Sequence, residues 1–434
     1  MRRLFQHFAI LEFAILVCAA AFLCAGAQAQ VPKVVKQKPG SLGGQVVNAK
    51  GAPVAGAQIL WQAADGETPH VLHSDAHGRF LIEPMRAGLY SLRASASGTW
   101  SEWEKNVLVR PGGEANVTLR LTFKEPPAAV GVELKGSMRV WDAPVPGAMP
   151  QASAVDTKGN IWFTLKETGH IARFNPDTQE WKLFKIPTED SGPQGLVADV
   201  LGNIWFTENN AGKIGRLSPA SGAIREFSAP TAKDPHTPVI GPDGALWFTA
   251  QNSNLIGRLD MESEKITEYS VPTQNAHPFG MISADDGALW FCEFSAGKLG
   301  RVDPASGAIT EYTPTERGVE PRRLAAASGA IYFTDFSGGR LGRLTLADKK
   351  FKFWDSPSGI HSEPYGIAAD SAGKIWYKES AQDANNLVRF DPKVEVFRTY
   401  AMPGPNSSVG NMARDGKGHL WLPLSMANKV AVVE

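Results

Sequence analysis

Cysteine is nearly absent from this chain of 434 residues. There are 3, and Cys18 and Cys24 lie in the extreme N-terminal segment, which leaves Cys292 alone. A single cysteine closes no intramolecular disulfide, so outside the cytoplasm the fold must be held by its core. An excess of either charge is missing too. Lys+Arg and Asp+Glu both number 44, and the net charge of zero excludes the strongly basic surface of a nucleic-acid binder. Helix formers do not dominate, whereas 43 Gly, 30 Pro and many Ser and Asp-Gly turns are present, so the chain leans all-β. A hydrophobic share of 43% supports a packed core and excludes wholesale disorder. The length is too great for one ordinary domain unless the fold is a closed repeat.

Residues 1–29 read as a signal peptide. Arg2 and Arg3 open it, an apolar stretch from Phe8 to Leu23 follows with Glu12 as its one charge, and Ala27-Gln28-Ala29 places cleavage after Ala29. The stretch is short for a membrane span, so no span is expected in the mature form. Ala21-Phe22-Leu23 before Cys24 lacks the small residue of a lipoprotein site. A periplasmic or secreted location is the expectation, with a linker over 30–40.

Short alternating strands come next, joined by glycine turns: Gly44-Gln45-Val46-Val47, Gly51 to Ile59, Ser74 to Ile82 and Ala87 to Ala94. They spell a small β-sandwich. Gly51-Ala52-Pro53-Val54-Ala55-Gly56-Ala57, Ser74-Asp75-Ala76-His77-Gly78-Arg79-Phe80 and Gly88-Leu89-Tyr90-Ser91-Leu92 resemble the carboxypeptidase regulatory-like domain over residues 41–122. The resemblance implies a transthyretin-like sandwich of the carbohydrate-binding-like group, without implying sugar binding. His70, His73 and His77 flank a turn with no carboxylate or Cys at ligand spacing, so a metal site is not expected there. A linker over 123–136 leads into the rest of the chain.

From residue 137 onward a repeat dominates. The motif Ile/Leu-Trp-Phe-Thr and its variants carry an aromatic at Trp162, Trp205, Trp247, Trp290, Tyr332, Trp376 and Trp421, at intervals of 43, 42, 43, 42, 44 and 45 residues. Each unit holds four strand signals, A to D: a strand after a Pro, the Trp strand, a Lys-Ile-Gly-Arg-Leu strand and an Ile-Arg-Glu-Phe strand. A four-stranded unit repeating near 42 residues is a β-propeller blade, and seven of them make residues 137–434 a seven-bladed propeller. The last unit ends at its third strand, and Met138-Arg139-Val140-Trp141-Asp142 copies the missing fourth. An N-terminal strand is therefore expected to close the ring, because an antiparallel fold does not leave such an edge bare. The repeated Trp reads as packing between blades rather than as a ligand platform.

Phe206-Thr207-Glu208-Asn209-Asn210-Ala211-Gly212-Lys213-Ile214-Gly215-Arg216-Leu217, with Ile-Thr-Glu-Tyr at 266–269 and 309–312, resembles the virginiamycin B lyase (streptogramin lyase) family over all seven blades. The resemblance implies a carbon–oxygen lyase that opens a cyclic depsipeptide by β-elimination, with a general base for the Cα proton and Mg2+ for the developing enolate-like charge. It also implies a site where the loops entering strand A meet the ends of strand B, with a catalytic His in a Glu-Pro-His motif. Here Glu363-Pro364-Tyr365 keeps the Glu and carries Tyr in place of His, Glu320-Pro321-Arg322 carries Arg, and no Glu-Pro-His occurs. His236 is the single His just after a strand-A Pro, and the next blade offers His277-Pro278 with Glu293.

On this basis His236, His277 and Tyr365 are candidate catalytic groups, Glu208, Glu320, Arg322 and Asp335 candidate ligand-binding groups, and Glu293, Glu363 and Glu379 candidate Mg2+ ligands. All but Glu208 are expected to converge at one mouth of the channel, which suits an anionic or polyhydroxylated ligand. Glu208 and Glu293 also belong to the repeated turn, and Cys292 reads as packing rather than as a nucleophile. Three functions are compatible with this pattern: a lyase with altered chemistry, a non-catalytic propeller binding a small molecule, peptide or glycan, and an envelope scaffold with the sandwich as spacer. A monomer is expected.

Overall fold

The computed structural model describes residues 38–63, 70–102, 104–124, 138–381, 384–402 and 408–434. The expected signal peptide and most of both expected linkers lie outside the described residues. The protein is all-β, a sandwich-type domain followed by a seven-bladed propeller. Among the described residues no helix is long and apolar enough to cross a membrane.

In the first domain, strand Gly40–Asn48 pairs in parallel with Glu114–Lys124 and antiparallel with Arg79–Met85. Strand Gly88–Ala96 pairs with Gln58–Ala63 and Glu104–Val109. Leu42, Val46, Ile59, Leu92 and Leu119 form the core. Successive strand side chains face opposite ways, so Tyr90, Leu92 and Ala94 point into this core while Leu89, Ser91 and Arg93 point out of it. Yet Tyr90 to Ala94 are all buried. A strand buried on both faces is covered twice, and the second cover is the propeller.

Each blade is a four-stranded sheet in the order A-B-C-D, strand A lining the channel. The seventh sheet is completed by Met138–Asp142, paired antiparallel with Lys429–Val433. The expected closure is thus observed. The Trp of strand B is buried in every blade that has one, and its indole nitrogen donates to an Asp of the A–B turn, as from Trp205 to Asp199 at 2.9 Å and Trp421 to Asp415 at 3.1 Å. A buried indole needs such an acceptor, and the Trp serves the blade, not a ligand. The strand-C glycine has a steric reason. A Cβ at Gly215 would sit 2.1 Å from the Phe206 ring, and Gly300 meets Phe291 in the same way.

Candidate functional site

A proline starts six of the seven inner strands at one end of the channel, and the repeated Thr of strand B pins the residue after that proline in the neighbouring blade. Thr164 donates to the carbonyl of Gln194 in the next blade at 2.9 Å, Thr207 to His236 at 2.8 Å and Thr334 to Tyr365 at 2.9 Å. The residues after the prolines therefore form a buried ring at the mouth. Gln151, Gln194, His236, Phe279, Arg322 and Tyr365 are all buried in it.

Arg322 is wholly buried. It bonds Glu320 at 3.1 Å, and its guanidinium lies 3.8 Å from the Phe294 ring centre and 4.6 Å from that of Phe336. Arg323 crosses the mouth to donate to Thr237 at 3.0 Å. His236 stands 4.3 Å from the Phe279 ring, with Nδ1 2.9 Å from the Thr237 hydroxyl. Tyr365 packs against Phe279 and Phe336. Of the residues expected at the mouth, His236, Arg322, Tyr365, Glu320 and Glu363 do meet there.

The remaining candidates are each held by other partners. His277 turns to Ser295, with Nδ1 2.7 Å from its hydroxyl, and burial lowers its pKa to about 4. The same lock joins Asp234 to Ser253 at 2.7 Å and Glu320 to Ser337. The residue before the proline thus bonds the B–C turn as a habit of the blade, and His277 shares it. Glu293 and Glu208 end strand B opposite Lys298 and Lys213 and face the strand-D carboxylates Glu311 and Glu226 rather than the channel. Burial and those neighbouring acids raise both to about 8. Asp335 accepts from Arg340 at 2.8 Å and from the Glu320 amide at 2.8 Å. Glu379 accepts from Ser356, Ser358 and Asn386 at 2.6–3.0 Å. The expected Mg2+ ligands Glu293, Glu363 and Glu379 thus each face different partners, and among the described residues no three His, Cys, Asp or Glu are grouped to hold a metal ion. These residues do not fit a Mg2+ centre. Cys292 is buried, and burial pushes its thiol well up, as a packing residue requires.

Glu363 breaks the blade habit. Ala381 stands where Ser295 and Ser337 stand in the two preceding blades, so no hydroxyl awaits Glu363. Instead its carboxylate lies 2.8 Å from Nη2 of Arg93, an ion pair rather than an aligned hydrogen bond, with both side chains essentially sealed from solvent. Arg93 comes from the sandwich. Its other nitrogen lies 2.8 Å from Nδ1 of His361, and its guanidinium covers Trp100 at 4.0 Å, itself stacked on His361. Leu89, on the same strand face, packs into the Phe279–Tyr365 cluster. The sandwich is therefore a roof over the mouth, and Arg93 was not anticipated; its one signal was an Arg inside the apolar run Leu92-Arg93-Ala94. Lys378 was missed as well. It occupies the repeated Thr position of the sixth blade, fully buried, and burial lowers it to about 7 against the pull of Glu379 and Glu363.

The comparisons agree with this architecture. A model of the carboxypeptidase regulatory-like domain matches residues 41–122, and one of the virginiamycin B lyase family matches residues 118–355. The family match stops before the sixth blade, where Glu363, Tyr365 and Lys378 lie. A streptogramin B lyase structure is 26% identical, covering 70% of this chain and 99% of that one, with a TM-score of 0.64. Virginiamycin B lyase from Staphylococcus aureus is 25% identical over 68% of this chain and 99% of that one, at a TM-score of 0.63. A catalytically inactive variant of that enzyme, with quinupristin, scores 0.61 at 25% identity, covering 68% of this chain and 98% of that one. No curated protein matches. With its family match spanning more than half the sequence, the chain belongs to the virginiamycin B lyase family.

Proposed function

We propose that the protein is an exported, ligand-binding member of this family, whose channel mouth holds a small molecule beneath the sandwich instead of opening a cyclic depsipeptide. The observation that carries this reading is the Arg93–Glu363 ion pair. It places a residue of the same chain on the carboxylate that the family resemblance assigns to the site, and Tyr365 beside it packs as one aromatic among three. Next to this filled side of the mouth lies a cavity of about 390 Å³ between the two domains. That volume suits a small ligand, not a macrocycle. Export rests on the Arg2-Arg3 start, the apolar stretch and Ala27-Gln28-Ala29; a mature N-terminus at Gln30 in the periplasm or medium checks it by mass spectrometry.

The test incubates the mature protein with a cyclic ester antibiotic and with envelope extracts, in Mg2+ and in EDTA. The expected result is no ring opening and a rise in melting temperature from an extract component. Metal-dependent ring opening overturns the proposal. Lys378 supports a second reading, a lyase with a replaced base: an amine titrating near 7 beside the mouth has a deprotonated share at neutral pH. That reading requires turnover rising through pH 7 and lost in Lys378→Met.

A further inference from the structure

The sandwich seats a side chain of its own in the mouth. Arg93 presents both terminal guanidinium nitrogens to the propeller. Nη2 lies 2.8 Å from Glu363 Oε1 and 3.4 Å from the His361 carbonyl, and Nη1 lies 2.8 Å from His361 Nδ1. A guanidinium has donors and no acceptor, so Nδ1 is the accepting atom. The propeller thus offers a carboxylate, a bare ring nitrogen and a carbonyl, all on the loop between strands Phe351–Asp355 and Pro364–Ala369. Together they suit a flat, forked cation, a shape that a compact ammonium lacks.

Arg93 fills this place imperfectly. Its strand limits where the guanidinium can reach, and neither Glu363 oxygen accepts an aligned hydrogen bond. A carboxylate takes a guanidinium best through two parallel bonds. The docking around it is also slight. A cavity of about 390 Å³ interrupts the contact between the domains, and at the rim Arg86 stands 3.6 Å from Asp190 with side chains 65% and 79% exposed. Such an exposed pair adds little, so a free molecule that fits better can take the place of Arg93.

We propose that the mouth receives a small guanidinium compound and that Arg93 is its built-in competitor, a proposal that rests on the ligand-binding reading above and names its ligand class. The exchange conserves charge. One guanidinium leaves Glu363 as another arrives, and Arg322 stays with Glu320. An anion or a neutral molecule in the place of Arg93 would strand the buried carboxylate. A free guanidinium can turn to meet both Glu363 oxygens, which the tethered one does not. The tether holds Arg93 at high effective concentration, so the native chain binds such a ligand more weakly than the vacated site does.

Titration calorimetry on the full mature chain tests this with arginine at millimolar concentration, with citrulline as its neutral isostere and lysine as the ammonium control. Arginine is expected to bind the native chain, lysine more weakly and citrulline not at all. Arg93→Ala should bind arginine about tenfold tighter or more, since the competitor is gone. Adding Glu363→Gln should remove most of that gain. Arg93→Lys keeps the charge, gives up the fork and should fall between the native chain and Arg93→Ala, with circular dichroism showing each variant folded. Small-angle scattering should show the native particle expanding as arginine saturates it. Arginine that binds Arg93→Ala but not the native chain overturns the proposal, because it then only refills a hole. Equal affinity for the two chains, indifference to Glu363→Gln, or lysine binding as tightly as arginine overturns it as well. If an extract component still raises the melting temperature of a chain that ignores arginine, only the ligand class has failed. If nothing does, the binding reading falls with it.

Discussion

Glu208 and Glu293 are carboxyl groups wholly buried at the ends of their strands, each facing a second acid, Glu226 or Glu311, that a lysine already neutralises. The second acid keeps its charge, so the proton belongs to the buried one, and burial together with the neighbouring charge raises it from 4.5 to about 8. Between those values the native state holds a proton that the unfolded chain has released. Stability is therefore complete below the unfolded pKa and falls as pH rises through this window. Glu208→Gln keeps the shape and removes the titration. It should raise the melting temperature at pH 8, by about 2 °C for each kcal/mol recovered, and leave it nearly unchanged at pH 4, below the unfolded pKa, in calorimetric scans; an equal gain at both pH values would contradict the buried proton. These two residues also mark where sequence reasoning stopped at this scale. A Glu three places past the aromatic looked like a site group because its position in the repeat was visible. Its partners, Lys213 and Glu226, became visible only through the register of strands B, C and D. His236, Arg322 and Tyr365 were legible because a proline starts six of the seven inner strands at the mouth, which makes the next residue's location a matter of counting.

At the scale of elements the propeller was readable almost in full. The period near 42 is set by four strands and four turns, and the turn Asp that receives the Trp indole recurs four or six residues before it, so these blades announce themselves locally. Closure was readable for a different reason: the last sheet has only strands Ala413–Arg414, Leu420–Leu424 and Lys429–Val433 of its own, and Met138–Asp142 carries the pattern of the absent fourth. This strand does not merely decorate an edge. It places Trp141 against Phe174 and Trp421, joining the first blade to the last. Deleting residues 138–142 should leave Lys429–Val433 as a bare apolar edge that recruits other copies. Size-exclusion chromatography is expected to show self-association and calorimetry a lower melting temperature; a monomer of unchanged stability would mean that the ring closes without the strap. The sandwich was legible as strands and turns, but its docking was not, since the face of Gly88–Ala96 that meets the propeller is marked only by the buried polar residues Ser91 and Arg93.

The whole molecule is governed by that Arg. Arg93 and Glu363 lie 270 positions apart in the chain, and no local pattern links them, so a two-domain site could not be read from either half alone. Their charges are buried together with Arg322 and Lys378 close enough to act on Glu363. A buried pair contributes little net stability while intact, because both charges were taken from water. Removing one partner costs about 3–5 kcal/mol, since it strands the other. Arg322 and Lys378 soften that loss for Glu363, which puts Arg93→Ala at the lower end of the range. The loss falls on the interface, because Leu92 and Ala94, on the opposite strand face, keep the sandwich core intact. The native protein should therefore unfold in one calorimetric transition and Arg93→Ala in two, the sandwich separating before the propeller melts. Adding Glu363→Gln removes the stranded charge and should restore part of the lost stability, a coupling that a double-mutant cycle measures directly. Two transitions already present in the native protein, or additive effects of the two substitutions, would mean that the domains are tethered side by side and that the mouth is open.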